Sequence, residues 1–275
     1  MLKYVIFSFL SFFAFMLPAW ADTPYLKLVD DADKAVAKGD YQLAINLLNE
    51  ALKTEPDNSG NVMVLSNLGM LNYYMGSDSL AIGYLTMAHQ MAPESVTILS
   101  NRAKVYTETN RLGAALRDLE KITRLDSTLY RPYLNMGVIY LTAGDSACAH
   151  VALDRMSKLT DTSKSRECTA ALAWLATVRG DNVDGLKQYS ILIAQEPTAD
   201  LYAARALCHV ALDHFSEASE DIAAGIELDA ECAELYVARA CLNKRTYRND
   251  DALNDAQKAI NLGASRDRVK SLLNL

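Results

Sequence analysis

The fold is most readily inferred from residues 62–95 of the 275-residue chain, which read VMVLSNLGMLNYYMGSDSLAIGYLTMAHQMAPES. In each half, apolar residues recur three and four positions apart, which predicts two amphipathic helices. A small residue stands in each predicted helix, at Gly69 and at Ala81, and the second is followed by Leu85 and Ala88. Because small side chains let two helix axes approach closely, the stretch predicts a helical hairpin.

The same frame recurs along the chain. The small residues of the second half-units lie 33 to 37 residues apart, and another small residue stands twelve positions before each of them. The seven pairs are Ala32 with Ala44, Gly69 with Ala81, Ala103 with Ala115, Gly137 with Ala149, Ala173 with Gly185, Ala206 with Ala218, and Ala240 with Ala252. One hairpin cannot cover its own apolar face, so this period predicts stacked hairpins that share a core.

The break between the two halves of a unit carries turn residues. Gly39, Gly76, Gly144 and Gly180 each tolerate the left-handed conformation that ends a helix, and each is followed by Asp or Ser, which can cap the next helix. In the seventh unit Tyr247 occupies the position of these glycines, so the seventh turn departs from the pattern.

The repeat resembles the tetratricopeptide repeat family over residues 25 to about 264, and Leu65, Leu68-Gly69 and Pro93 fit the family pattern in the second unit. The resemblance implies an all-α, right-handed superhelical α-solenoid of about seven helix-turn-helix repeats. The implied repeats are 25–58, 62–95, 96–129, 130–163, 166–198, 199–232 and 233–264. Residues 265–275 carry Val269, Leu272 and Leu273 at helical spacing and are predicted to form a C-terminal capping helix.

Residues 1–21 are typical of a cleaved secretory signal peptide. Lys3 precedes an apolar stretch from Val5 to Leu17, and Ala19-Trp20-Ala21 fits a cleavage site. The apolar stretch is shorter than the ~20 residues that cross a bilayer as a helix, so a retained anchor is the weaker interpretation. We therefore expect an exported protein, periplasmic or secreted, with no integral membrane span after signal cleavage.

The charge balance argues against some classes of partner. The chain has 27 Lys and Arg against 34 Asp and Glu, a formal net charge of −7. This balance gives no cationic footprint, so neither nucleic acid nor an anionic lipid surface is an expected partner.

No catalytic motif stands out, so we expect a protein that is not an enzyme and that holds no cofactor and no metal. The four histidines are predicted on helices that share no face, and only His209 and His214 are close in sequence. The five cysteines have no zinc-knuckle spacing. A bridge between Cys208 and Cys241, on neighbouring first helices, is the only disulfide that the repeat register leaves open.

Three units carry a matched pair of opposite charges. When each unit is numbered from one, the seventh residue is arginine and the twenty-third is aspartate in the same three units. The other four units have neither the arginine nor the aspartate at these positions. The pairs are Arg102 with Asp118, Arg205 with Asp221, and Arg239 with Asp255. An unpaired guanidinium at a core-facing position would be costly, so we predict three structural ion pairs.

The resemblance also implies a binding surface, because the first helices of this family line the concave side of the solenoid. The sixth position is asparagine in three consecutive units, Asn67, Asn101 and Asn135, and amide side chains can hold an extended peptide backbone. The competing interpretation is that these asparagines merely face water. Further candidates on this surface are Met70, Tyr73, Tyr74, Lys104, Arg131 and Trp174, together with Met63, Leu134, Val138 and Leu141. For Met63, Met70, Val138 and Leu141, ordinary core packing is the competing interpretation.

These observations favour a non-catalytic adaptor or scaffold that binds a peptide segment or a protein surface in the groove. The alternative is a structural subunit of a cell-envelope assembly that docks through helix edges or the terminal cap. A third hypothesis, an enzyme or a carbohydrate-binding protein, would require a deep pocket lined by carboxylates or histidines.

Overall fold

The computed structural model describes residues 23–162 and 165–273, and no strand occurs among them. The helices are α1 (Pro24–Ala37), α2 (Tyr41–Thr54), α3 (Asn61–Tyr74), α4 (Asp78–Met91), α5 (Val96–Glu108), α6 (Leu112–Leu125), α7 (Tyr130–Thr142), α8 (Ser146–Leu159), α9 (Arg166–Arg179), α10 (Asn182–Gln195), α11 (Ala199–Ala211), α12 (Phe215–Leu228), α13 (Ala233–Arg245), α14 (Asn249–Asn261) and α15 (Arg266–Leu273). The predicted all-α class is confirmed.

Consecutive helices pair as hairpins, each odd-numbered helix packing on the even-numbered helix that follows it, from α1 with α2 to α13 with α14. The hairpins belong to two compact units. The first unit contains α1–α6 and ends at Leu125, and the second begins at Asp126 and contains α7–α15.

The core of the first unit is built on the small residues of the repeat frame. Ala44, Ala81 and Ala115 are fully buried. A Cβ atom placed on Gly69 would lie only 2.5 Å from Cγ of Leu85, which is well inside van der Waals contact. The small side chains therefore allow the close approach of α3 and α4 that the sequence pattern predicts.

The second unit has its own apolar core and a closing helix. Leu153 and Met156 of α8 are fully buried and pack against residues of α7 and α9. The short α15 packs on α13 and α14 through Val269 and Leu273, whereas Leu272 faces solvent. The last hairpin is thus covered by a helix of the same chain.

The seven hairpin turns share one backbone conformation. Each contains one residue with φ between 57° and 78°, in the left-handed region that glycine adopts most easily. These residues are Gly39, Gly76, Asn110, Gly144, Gly180, Asp213 and Tyr247. The seventh turn therefore has the same geometry as the others, although its left-handed residue is a tyrosine.

No helix within the described ranges is both long and apolar enough to cross a membrane. The predicted signal peptide, residues 1–21, lies outside the described residues.

Candidate functional site

One stripe of α3 is only partly used to stack the first unit. Met63, Asn67, Met70 and Tyr74 lie four, three and four positions apart, so they follow one side of the helix. Met63 and Tyr74 are exposed, and Asn67 and Met70 are half-buried. With Tyr73 of the same helix and Asn101 and Lys104 of α5, these residues form what we call the first-helix face.

Lys104 connects α5 to the tyrosines of α3. Its Nζ atom lies 5.8 Å from the ring centroid of Tyr73 and 5.4 Å from that of Tyr74, and it donates a 3.5 Å hydrogen bond to the Tyr74 hydroxyl. The Tyr73 and Tyr74 centroids are 5.4 Å apart, and Tyr41 of α2 lies 6.3 Å from Tyr74. The result is a cluster of three phenol rings, two of which lie next to one ammonium group.

Part of this predicted surface is structural. Met70 and Tyr73 pack against the buried cluster of Ala81, Leu85 and Val105. Both residues therefore contribute mainly to the core, and Met63 and Tyr74 are the members that expose contact area to a partner.

The three asparagines differ in their surroundings. Asn101 donates from Nδ2 to Oγ of the buried Ser66, 3.1 Å away on α3. Among the residues that the structure describes, the side chains of Asn67 and Asn135 make no hydrogen bond to another protein group. Asn67 and Asn101 belong to the first unit and Asn135 to the second. The Ser66 contact has no signal in the sequence, since it depends on how α5 packs on α3.

The second unit exposes another set of predicted residues. Arg131 of α7 lies 3.5 Å from Glu167 of α9, and both side chains are solvent-exposed, so the pair contributes little to stability. Asn135 and Trp174 are exposed on the same two helices. Leu134 and Leu141 are buried, so the packing interpretation is the correct one for Leu141, and Leu134 also lies in the core rather than on the predicted surface.

The three arginines at the seventh position each form two hydrogen bonds to the aspartate of the same repeat. Arg102 Nε and Nη2 donate to Asp118 over 2.8 and 2.7 Å, and Arg205 and Arg239 bind Asp221 and Asp255 in the same way. The aspartates are buried in every case. The guanidinium groups lie over tyrosine rings of their own helices: Tyr106, Tyr202 and Tyr236. These pairs hold the two helices of a hairpin together and face no reacting group.

A cavity of about 310 Å³ lies among α12, α13 and α14. Its polar lining includes Asp251, Asp255, Arg239 and Arg248. Asp255 also accepts a 2.9 Å hydrogen bond from Asn243, in addition to the two bonds from Arg239. These hydrogen bonds tie the carboxylate of α14 to two side chains of α13.

Four of the five cysteines are buried and serve as packing residues. All five are free, including Cys208 and Cys241, and only Cys148 is exposed. Burial raises the pKa of the Cys208 and Cys241 thiols to about 11, which keeps them protonated at neutral pH. Within residues 23–162 and 165–273, no three His, Cys, Asp or Glu side chains come together as a metal site.

Two curated relatives share part of the sequence. Mouse DnaJ homolog subfamily C member 7 is 31% identical over 100 residues, which is 36% of this chain and 20% of that protein. The inactive TPR repeat-containing thioredoxin TTL3 of Arabidopsis thaliana is 24% identical over 243 residues, which is 79% of this chain and 35% of that protein. The chain thus spans only a minor part of the length of either relative. No family model matches it.

Solved structures match over most of the chain. A tetratricopeptide repeat protein from Parabacteroides merdae is 26% identical with a TM-score of 0.65, and the match covers 91% of this chain and 98% of that one. YrrB, described as a TPR protein with an unusual peptide-binding site, is 17% identical with a TM-score of 0.58, and the match covers 70% of this chain and 98% of that one.

Proposed function

Because the chain has the tetratricopeptide-repeat fold, we propose that it is a non-catalytic scaffold that binds a peptide segment or a protein surface on the first helices of its repeats. The observation that carries the proposal is the first-helix face. There, Met63 and Tyr74 are exposed on either side of Asn67, whose amide has no partner within the described residues.

Each group on this face suits a different part of an extended peptide. The Asn67 amide can donate to a backbone carbonyl and accept from a backbone N–H, which gives a hold that tolerates many sequences. Met63 offers an adaptable apolar contact, and Tyr74 offers a rigid aromatic one, and both residue types are enriched in interface cores. Asn101 keeps its side-chain oxygen for a partner, because only its NH₂ group is used by Ser66.

The similarity to YrrB, at 17% identity, is evidence for the fold alone. Its description as a protein with a peptide-binding site agrees with the proposal, which rests on the residues of this chain. In the second unit, Trp174 and Asn135 are proposed as additional contacts, since both are exposed on first helices.

The proposed compartment lies outside the cytoplasm, periplasmic or secreted, on the basis of the signal-like residues 1–21. Expression of the full chain in a bacterial host, followed by N-terminal sequencing of the exported fraction, tests it. The expected first residue is Asp22. Recovery of the chain in the cytoplasm with its N-terminus intact would contradict the proposal.

We do not propose the alternative, a structural subunit of a cell-envelope assembly that docks through helix edges or the terminal cap, for which an uncapped last hairpin would have been the favouring observation. The last hairpin is already covered, because Val269 and Leu273 of α15 are buried against it.

The binding proposal can be tested by selecting peptides from a display library on the immobilised chain. The affinity of a selected peptide is then measured for the wild type and for Asn67→Ala, Met63→Ala and Tyr74→Ala. We expect at least one of these substitutions to weaken binding by roughly tenfold or more, because a few central contacts dominate an interface.

Met87→Ala is the matched control. Met87 belongs to the same repeat as Met63 and is similarly exposed, 50% against 43%, but it lies on the second helix α4. Its substitution should leave the affinity unchanged. Equal affinities for Met63→Ala, Asn67→Ala, Tyr74→Ala and the wild type would place the binding surface elsewhere.

A further inference from the structure

The turn between α11 and α12 brings two histidine rings together. His209 lies near the end of α11, and His214 immediately precedes α12. The chain reverses at Asp213, which has a φ of 61°. The reversal places the two Nδ1 atoms 3.4 Å apart, with ring centroids 5.6 Å apart and an angle of 50° between the rings.

The separation of the two nitrogens is that of a long N–H···N hydrogen bond, and it also matches two ligands on one metal ion. Two nitrogen ligands on one tetrahedral zinc ion, each bound at about 2.0–2.1 Å, are themselves about 3.4 Å apart. The two Nδ1 atoms therefore already stand at ligand spacing, and a metal ion would replace the proton that they share.

The opposite edge of His209 faces a carboxylate. Its Nε2 atom lies 3.8 Å from Oδ2 of Asp221, beyond hydrogen-bond distance, and Asp221 is held in place by two hydrogen bonds from Arg205. The negative charge favours a proton on Nε2, the tautomer in which Nδ1, the nitrogen that lies next to His214, keeps its lone pair.

We propose that His209 and His214 form a two-histidine site for a zinc-type divalent transition ion, with water completing the coordination. Imidazole nitrogen is a preferred ligand of such ions. No third His, Cys, Asp or Glu ligand joins the pair among the described residues, so the site is open to water or to a side chain of a partner. The carboxylates of Asp221 and Glu217 add negative charge close to the ion, and the guanidinium of Arg205, which is paired with Asp221, offsets part of it. This site goes beyond the proposed binding of peptides, and the sequence pattern alone predicted no metal.

The test is a calorimetric titration of the metal-free chain with ZnCl₂, with MgCl₂ as the comparison salt. We expect one Zn²⁺ per chain and no binding of Mg²⁺, which prefers oxygen ligands. His209→Gln and His214→Gln should each weaken zinc binding at least tenfold. Zinc should also raise the melting temperature of the wild type and not that of either variant, because an ion that binds only the folded state stabilises it.

Two control variants address adventitious binding at other exposed ligands. His150 and Cys148 are both exposed on α8, so His150→Gln and Cys148→Ser should bind zinc with the wild-type affinity. His214 is exposed, so its variant is expected to fold normally, which circular dichroism can verify. The proposal is overturned if the wild type shows no zinc binding, or if zinc binding survives unchanged in both His209→Gln and His214→Gln.

Discussion

Removal of Asp118 should destabilise the first unit sharply. The substitution Asp118→Ala leaves the guanidinium of Arg102 without its two hydrogen bonds of 2.8 and 2.7 Å, in a site where the arginine side chain is only 11% exposed. Truncating one partner of a buried ion pair costs about 3–5 kcal/mol, and because Arg102 retains some contact with water we expect about 3 kcal/mol. Urea unfolding followed by circular dichroism measures the change, and hydrogen exchange of α5 and α6 locates it.

The double variant Arg102→Met with Asp118→Ala should recover most of this loss. It copies the fourth repeat, which carries Met136 and Ala152 at the two equivalent positions. An apolar pair removes the uncompensated charge, so we expect a stability within about 1 kcal/mol of the wild type. The reasoning is refuted if Asp118→Ala costs less than about 1 kcal/mol, or if the double variant is no more stable than the single one.

Three further predictions follow from individual side chains. Burial, and then the charge of Arg102, lower the pKa of His89, so the unfolded chain takes up this proton before the folded one does. The stability should therefore fall as the pH drops from about 7 to 5, and His89→Gln should reduce that dependence in urea titrations at several pH values. Ellman's reagent should modify one thiol of the native protein quickly, that of Cys148, and all five only after denaturation, so two or more fast thiols would contradict the burial pattern. Gly137→Ala should destabilise the protein by about 1–3 kcal/mol, because the new Cβ would lie 2.4 Å from a buried leucine, whereas Gly83→Ala, in open space within α4, should stabilise it by up to about 1 kcal/mol in the same assay.

The hairpin architecture could be predicted from the sequence because its cause is local and repeated. Small residues such as Ala44 and Ala81 recur at fixed spacing, and the structure buries them completely. The positions of the charged pairs could also be predicted, because the arginine and aspartate of the third repeat, Arg102 and Asp118, occur at the same two positions in the sixth and seventh repeats.

The candidate binding surface could be predicted only in part. Leu134 is the fifth residue of its repeat and Met63 is the second residue of its repeat, and the family exposes both positions. Leu134 is nevertheless buried, whereas Met63 is exposed. The difference depends on how neighbouring helices pack, which a pattern of single residues does not specify. The contacts of Asn101 with Ser66 and of His209 with His214 likewise depend on packing between α3 and α5 and on the turn at Asp213.

The left-handed turn residues divide the hairpins into two kinds. In the first, second, fourth and fifth hairpins this residue is glycine, and in the third, sixth and seventh it is Asn110, Asp213 or Tyr247. The three hairpins without glycine at this position are the same three whose helices are joined by an arginine–aspartate pair. A side chain in this conformation costs energy that glycine avoids, and the ion pair fastens the same two helices that the strained turn connects. The chain thus contains two kinds of hairpin. A designer who transplants a hairpin of the charged kind into another repeat array should transfer its turn residue and its ion pair together.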